Sequence, residues 1–581
     1  MIRAASGPSE YRERVEQQNC NRFFSETSCV AAYRWELGCP IMLLRKDSPE
    51  EVVRMIQSLE DRADLCHEDL RLYSVPKGVA AWATLVFLVL MTEEHRAKQG
   101  YRNYDVALIN LSKIGTLILR WIRERENNAV SKVENYSWSN SLREAVGEAW
   151  ETASNYSAFL GSFPMWYQDR MLAELLPGSK IRFTVPGGEV ARRVSAFHKG
   201  FRPLPMPIRD EGLVLNEEQQ REQDAVASQC FFSGPLRMAY PESLALYQLL
   251  LPSYLDRLST LFRRGDNVDL GPYTVGELKR GYAALTAISS VHEHLCFIFG
   301  MRHQYPVNSS VITRTSADWA KLISKISALE EPKVAAMVKD LTMDDRFWDL
   351  HVQPFVFVDE NMLAAAPQFP LHSRPDENVL RICGHVRRSY FDEASQVKEQ
   401  EMLDDFLPKC PTRFSPQFRI SLPSDLPDID LLLVDEDHNA VLIAELKWLR
   451  KPIDWHERIN REEDFNKGLA QLSRINSFLA VNPSYLSDKG KLPRTLDEYS
   501  QISYVLVARD HFLWPDTPDR IVVDYEVFKE IISRAASLSD LVKWLKNYAW
   551  LPVEDKDYVV RFEPAIANGV TLESEIFYRN R

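Results

Sequence analysis

Two short apolar runs separated by a turn-forming segment constrain the C-terminal half of the chain more than any other feature. The runs span 431–434 and 441–444, and the residues between them are Asp-Glu-Asp-His-Asn-Ala. Aspartate and asparagine favour turns because their side chains hydrogen-bond nearby backbone. Strand-length apolar runs on both sides of such a segment predict a β-hairpin within 427–447.

Charged residues stand at the open end of this hairpin, where apolar residues would be expected. Asp428 and Asp430 begin the first strand, Glu445 ends the second, and Lys447 follows two residues later. Residues two apart point to the same face of a strand, so Glu445 and Lys447 share a face. Grouped carboxylates are unfavourable unless a cation compensates them, and carboxylate oxygens suit Mg²⁺ or Mn²⁺. The pattern therefore predicts a divalent-metal site; the alternative is exposed hairpin ends whose surface ion pair contributes little.

These residues resemble the motif of the PD-(D/E)xK nuclease superfamily, whose members have the restriction-endonuclease-like fold. Asp430 matches the acidic residue that begins one strand, and Glu445-Leu446-Lys447 matches the E-x-K tripeptide of the next. In the superfamily, a helix with a glutamine and a further strand often follow. Helical periodicity over 467–478 puts Gln471 at the matching position, and the apolar run 502–508 predicts the strand.

Two matches to this motif, which covers about 390–523, leave alternatives open. Asp428 completes a literal Pro-Asp, but Asp430 is nearer the usual position before the apolar strand and is preferred. The superfamily also tends to have a glutamate on a helix before the hairpin. The helical pattern over 389–407 offers Glu393, Glu399 and Glu401, and we favour Glu399.

The resemblance implies a C-terminal α/β domain, a mixed sheet flanked by helices, that hydrolyses phosphodiester bonds. The resemblance favours DNA over RNA as the substrate. It also favours endonucleolytic over exonucleolytic cleavage. Asp430 and Glu445 would hold Mg²⁺ or Mn²⁺ with the Leu446 carbonyl, and Lys447 would orient the attacking water. Gln471 and Glu399 would position these groups.

Basic residues that follow the motif are candidates for contacts with the nucleic-acid backbone. Such contacts would make binding depend on salt. For any single residue, an ordinary exposed helix charge is the alternative. The candidates are Arg450, Lys451, Arg458, Arg461 and Lys467.

The composition of the whole chain excludes several classes of protein. The eight cysteines form no C-x-x-C pair, so neither a zinc knuckle nor a disulfide framework is indicated, and a reducing cytoplasm fits best. No G-x-x-x-x-G-K-[ST] motif supports ATP-driven translocation. The apolar stretch 78–92 is shorter than a membrane span and predicts a buried helix. The net charge of −12 does not indicate nucleic-acid binding, yet a local basic groove matters more than the total.

The pattern along the 581 residues divides the chain into four regions. A large, mainly α-helical N-terminal region is followed by a second helical block, because apolar stripes of helical period and two capping boxes recur there. A β-rich lead-in then precedes the nuclease-like domain, which ends in a helix and a strand. The regions are 1–235, 236–345, 346–388 and 389–581.

One segment of the first region, 180–199, is locally basic. Pro186 and Gly188 indicate a turn, so the segment predicts a basic hairpin that contacts phosphates. The alternative is a solvated hairpin or short helix with no such role. The basic side chains are Lys180, Arg182, Arg192, Arg193, His198 and Lys199.

Two functions from different classes follow from the sequence. The first is a metal-dependent nuclease whose helical region binds a partner protein or senses substrate, as in prokaryotic antiviral defence or restriction systems. The second is a catalytically silent nuclease fold that binds nucleic acid or scaffolds a complex. Architecture alone cannot decide between them.

Overall fold

The computed structural model describes twelve parts of the chain and shows a mixed α/β protein. These parts are residues 43–44, 50–99, 104–125, 137–185, 188–198, 216–259, 265–344, 349–373, 375–423, 425–449, 455–509 and 521–580.

Four helices form the core of the N-terminal region. They are α1 (Glu50–Asp64), α2 (Lys77–Gln99), α3 (Tyr104–Glu124) and α4 (Asn140–Tyr167). Ser139 caps α4 by accepting a hydrogen bond from the Leu142 amide at 3.2 Å. The apolar pattern predicts that this helix continues to Leu175, which is wrong: strand β2 (Leu172–Leu176) follows instead. Apolar residues suit either element, and here the backbone of β2 pairs with the next strand.

The basic segment after β2 forms a strand and a helix. Strand β3 (Lys180–Thr184) pairs with β2, and helix α5 (Gly188–His198) follows. The predicted basic hairpin is therefore wrong, because Ala191, Val194 and Phe197 are buried at helical spacing. The three arginines among the basic residues also have structural partners. Arg182 pairs with Glu573 at 2.7 Å, and Arg193 donates to the carbonyls of Tyr548, Leu551 and Pro552.

The second helical block is built around one long central helix. Its helices are α6 (Glu217–Ala227), α7 (Leu244–Ser259), α8 (Val275–Arg302), α9 (Ser316–Ser327) and α10 (Glu331–Asp340). Its short strands are β4 (Phe231–Gly234), β5 (Arg237–Ala239) and β6 (Ile312–Thr315). Thr274 and Glu277 form one of the two predicted capping boxes, at the start of α8. The other, Ser141 with Glu144, is wrong, because Ser139 is the N-cap of α4. Within the described ranges, α8 alone is long and apolar enough to cross a membrane, but 61% of its most apolar window is buried inside the protein.

The predicted β-rich lead-in contains two short strands and then two helices. Strands β7 (Phe355–Phe357) and β8 (Met362–Ala365) join β6 in a three-stranded antiparallel sheet. Helices α11 (Gln368–His372) and α12 (Pro375–Val386) follow.

A five-stranded mixed sheet forms the centre of the C-terminal part. Its order is β13-β12-β11-β10-β9. Strand β10 is antiparallel to both β9 and β11, whereas β12 is parallel to both β11 and β13. The strands are β9 (Ser415–Ile420), β10 (Ile429–Asp435), β11 (Ala440–Trp448), β12 (Gln501–Arg509) and β13 (Ile521–Asp524). The helices around them are α13 (Arg388–Phe406), α14 (Trp455–Val481), α15 (Tyr485–Asp488), α16 (Tyr525–Arg534) and α17 (Leu538–Lys546). The predicted hairpin is thus confirmed as β10–β11.

Both faces of the β10–β11 hairpin are buried. Leu431 and Leu442 belong to a core that also contains residues of α8, α13 and α16. Leu432 and Ile443 point the other way and pack with Phe465 of α14. A strand buried on both faces leaves few positions for charge, so charged residues at its end indicate a site.

The chain then returns to the N-terminal sheet. Strands β14 (Tyr558–Ala567) and β15 (Val570–Arg579) form a hairpin, and β15 pairs in parallel with β3. The resulting order is β1-β2-β3-β15-β14, where β1 is Leu43–Leu44. The first and last described strands therefore belong to one sheet.

Candidate active site

Asp430 and Glu445 lie directly opposite each other on β10 and β11. The register pairs Leu431 with Ala444, and one further residue along each strand gives Asp430 and Glu445. Residues opposite each other in an antiparallel pair have Cβ atoms about 4.5–5.5 Å apart on the same face. Oδ2 of Asp430 accepts a hydrogen bond from the Leu446 amide at 2.8 Å, which fixes the carboxylate against the second strand. The predicted convergence of these two acids is present.

Glu445 is almost fully buried, with 3% of its side chain exposed. Its Oε1 lies 2.7 Å from Nζ of Lys447, two residues along the same strand. Its Oε2 has no hydrogen-bond partner among the described residues. A buried carboxylate oxygen without a partner is unfavourable, and such an atom points to a missing donor or cation.

The electrostatics of the site show an excess of buried negative charge. Burial, together with the Asp430 carboxylate, raises the pKa of Glu445 to about 8, although Lys447 opposes this shift. Burial also raises the pKa of Asp430, against the Leu446 amide and Lys447. For Lys447, burial favours the neutral amine, but Glu445, Asp430 and Glu399 together raise its pKa. Perturbed groups of this kind are typical of functional sites.

Helix α13 contributes the third carboxylate, Glu399. Burial raises its pKa, Lys447 lowers it, and Asp430 raises it, so its charge interacts with both residues. The two other glutamates considered from the sequence differ from Glu399. Glu393 is exposed, and Glu401 pairs with Lys398 at 3.5 Å.

Helix α14 covers the side chain of Lys447. A Cβ atom added at Gly468 would lie 3.3 Å from Cε of Lys447 and 2.9 Å from Cδ1 of Leu506. The absence of a side chain at position 468 therefore allows the helix to approach the lysine closely. Gln471 is half-buried and lies three residues further along α14, on a neighbouring part of the same helix surface.

Sequence reasoning missed Arg419 on the edge strand β9. The register pairs Ile429 with Ile420 and Leu431 with Phe418, so Arg419 is the residue opposite Asp430. It is exposed and has a left-handed backbone conformation with φ of 48°. Its charge lowers the pKa of both Asp430 and Glu399. No local pattern marks this arginine, because its position depends on how two strands align.

The remaining candidates from the sequence lie elsewhere or outside the described residues. Asp428 is exposed just before β10, whereas Asp430 is inside it. Lys467 is exposed and pairs with Asp464 at 3.2 Å. Arg450 and Lys451 lie outside the described residues, as do the side chains of two arginines on α14. These are Arg458 and Arg461.

The donor set at this site suits a partly hydrated hard cation. In the described parts of the chain, no three or more His, Cys, Asp or Glu side chains are grouped so that they could hold a metal ion. Two carboxylates do face each other, and Oε2 of Glu445, which has no partner in the described ranges, can serve as a ligand oxygen. Mg²⁺ retains several waters and is commonly held by one or two carboxylates. Asp430 and Glu445 therefore fit Mg²⁺ or Mn²⁺, whereas the described residues form no site enclosed by three or more of these side chains.

No family model, curated protein or solved structure matches this chain. The function must therefore be inferred from the chemistry of the site.

Proposed function

We propose that the C-terminal part of the chain is a metal-dependent nuclease of the PD-(D/E)xK type that hydrolyses phosphodiester bonds, in DNA rather than RNA. One observation carries this proposal. Two carboxylates face each other across neighbouring strands, and one of them has a buried oxygen with no hydrogen-bond partner among the described residues. Lys447 lies 2.7 Å from the other oxygen of that carboxylate.

The arrangement of elements supports the restriction-endonuclease-like fold. Helix α13 is followed by three antiparallel strands, helix α14 and the parallel strand β12. The aspartate is on the second of the three strands, the E-x-K tripeptide on the third, and Gln471 on the helix after it. This is the order in which the superfamily motif occurs.

Each residue of the site has a role that its contacts support. A bound Mg²⁺ or Mn²⁺ would supply Lewis acidity toward water and the scissile phosphate. Asp430, fixed by the Leu446 amide, and Glu445, through its free Oε2, would hold the ion. The Lys447 ammonium would orient the attacking water and stabilise negative charge that develops on the phosphoryl oxygens. Glu399 and Gln471 would position these groups from the two helices.

The second candidate is a silent nuclease fold that binds nucleic acid or scaffolds a complex. It is favoured by the finding that the described residues group no three metal-ligand side chains. The proposed nuclease does not need a third protein ligand if water and substrate oxygens complete the coordination. Cleavage therefore separates the two candidates directly.

The large helical regions support a role in regulation or assembly. We propose that they bind a partner protein or sense the substrate in the cytoplasm, as in prokaryotic defence or restriction systems. This part of the proposal rests on architecture by analogy.

The test is metal-dependent cleavage by the purified chain. Labelled single- and double-stranded DNA and RNA are incubated with Mg²⁺, with Mn²⁺ and with a chelator. We expect the wild-type chain to cleave DNA only when metal is present. The variants Glu445→Gln and Lys447→Ala should not cleave it. The matched control is Lys98→Ala, because Lys98 forms an exposed pair with Glu94 at 2.5 Å and should be nearly neutral.

Two outcomes would contradict the proposal. Nucleic-acid binding without cleavage under any metal condition would favour the silent fold. Metal-dependent cleavage that survives both site variants would move the active site away from β10 and β11.

A further inference from the structure

We propose that Arg419 is a phosphate-binding residue of the nuclease site, which holds the substrate backbone beside the carboxylates. This inference rests on the proposed nuclease function and adds a substrate contact that the superfamily motif does not supply. Arg419 would act on substrate affinity rather than on metal binding. Its guanidinium has five donors in a planar fork that matches two phosphate oxygens.

The position of Arg419 suits a residue at the entrance of the site. In the described parts of the chain, strand β9 is the edge of the mixed sheet and has a neighbouring strand on one side only. Arg419 is the exposed residue of β9 opposite Asp430, whereas Glu445 lies one strand further inside and is buried. A substrate that reaches Glu445 and Lys447 from this edge passes Arg419.

The backbone of Arg419 is unusual at the same position. Its φ of 48° lies in the left-handed region, which residues other than glycine, asparagine and aspartate seldom adopt. The neighbouring pairs Ile429–Ile420 and Leu431–Phe418 keep the strand register on either side. Strain at one residue inside a regular pairing is a feature that clusters at functional sites. Arginine here is thus unfavourable for the backbone alone, and a substrate contact by its side chain would offset that cost.

The guanidinium of Arg419 also lacks an ion-pair partner within the described residues. Its positive charge nevertheless lowers the pKa of Asp430 and of Glu399. Arg387 shows what a structural arginine looks like in this protein. Its Nη2 lies 2.6 Å from both carboxylate oxygens of Asp340, and its Nη1 donates to the Leu270 carbonyl at 2.9 Å. Among the described residues the Arg419 guanidinium thus forms no ion pair and can bind an external anion, and a phosphate is the anion that the proposed reaction brings.

The experiment measures binding and cleavage of labelled double-stranded DNA by the full chain and three variants. Arg419→Gln removes the charge, Arg419→Lys keeps the charge without the fork, and Arg419→Gly removes the side chain and relieves the backbone. We expect the Kd for DNA and the KM to rise at least about tenfold in the Gln and Gly variants, with a smaller rise for Lys. Without the contact, the slope of log K against log salt should shrink by about 0.9.

Two further readouts separate substrate binding from a structural role. Arg419→Gly should unfold at a higher urea concentration than the wild type, since glycine adopts this φ without strain. Mn²⁺ affinity measured by calorimetry should be unchanged or slightly tighter in Arg419→Gln, because a positive charge near the ligands is lost. The control is Arg54→Gln, an exposed arginine on α1 that pairs with Glu50.

The outcomes distinguish this inference from the proposed function. If the wild-type protein cleaves DNA and the Kd, the KM and the salt slope are unchanged in both Arg419→Gln and Arg419→Gly, the role of Arg419 is refuted and the proposed nuclease function is not. Wild-type protein that neither binds nor cleaves DNA with Mg²⁺ or Mn²⁺ would overturn both. Loss of Mn²⁺ binding in Arg419→Gln would make Arg419 a structural support of the metal site and also refute the inference.

Discussion

Gly468→Ala should disturb Lys447 while leaving the fold intact. The added Cβ would lie 3.3 Å from Cε of Lys447, a tight contact that the lysine can relieve only by moving. The same movement shifts Nζ, which lies 2.7 Å from Glu445. Misplacing a catalytic group by even 1 Å can reduce the rate about 100-fold, so a shift of a few tenths of an ångström should reduce cleavage roughly tenfold.

The effect of this substitution on stability is the sum of two opposing terms. Alanine in place of glycine inside a helix stabilises by about 1 kcal/mol. The new Cβ would also lie 2.9 Å from Cδ1 of Leu506, which is fully buried, and overpacking of this kind typically destabilises by about 1–3 kcal/mol. The free energy of unfolding should therefore be unchanged or fall by up to about 2 kcal/mol.

Gly161→Ala is the matched control. Gly161 lies in the interior of α4, and a Cβ there would meet nothing within 4 Å. This variant should gain about 1 kcal/mol in urea denaturation with cleavage unchanged. If Gly468→Ala gains as much as Gly161→Ala and cleaves at the wild-type rate, α14 does not pack against Lys447 as described.

Three further predictions concern metal binding, helix capping and pH. Lys447→Ala should keep Mn²⁺ affinity, or tighten it slightly, and lose cleavage, whereas Glu445→Ala should weaken Mn²⁺ binding in calorimetry; equal losses of affinity in both variants would contradict this division of roles. Asp435→Ala should lower the free energy of unfolding by about 1–3 kcal/mol, because buried Asp435 accepts the Leu538 amide at 2.9 Å at the start of α17; a midpoint within error of the wild type would refute it. Burial raises the pKa of Glu293 from 4.5 to about 7, so the folded protein holds this proton more tightly than the unfolded chain and loses stability as the pH rises through that interval. Glu293→Gln has no such proton to lose, so we compare its free energy of unfolding with that of the wild type at each pH. The difference, variant minus wild type, should increase by about 1–3 kcal/mol between pH 4.5 and 7 and stay constant above pH 7. A difference that is independent of pH would show that Glu293 is not desolvated.

Local pattern was enough to predict the core of the site. The apolar runs of β10 and β11 and the turn between them place Asp430 opposite Glu445. The spacing of two between Glu445 and Lys447 then gives the ion pair directly. Helical periodicity likewise predicted the part of α14 over 467–478 that contains Gln471, but not the first twelve residues of this helix, which begins at Trp455.

Features that depend on distant pairing were not predicted. Arg419 faces Asp430 only because β9 aligns with β10 in one register. Residues 172–176 have a composition that suits either a helix or a strand. They form a strand because their backbone pairs with β3. The basic side chains of 180–199 could not be assigned either, since Arg182 finds its carboxylate partner in Glu573.

The pairing of β15 with β3 has a consequence for how the protein is made. Arg182 and Glu573, which bond across these strands, are 391 residues apart. A ribosome that synthesises about 5–20 residues per second therefore releases β3 some 20–80 seconds before its partner exists. Throughout that interval the edge of β3 is open to wrong partners. A shortened gene that keeps the mixed sheet but lacks the last hairpin would make this exposure permanent, so it should yield aggregates rather than a smaller soluble protein.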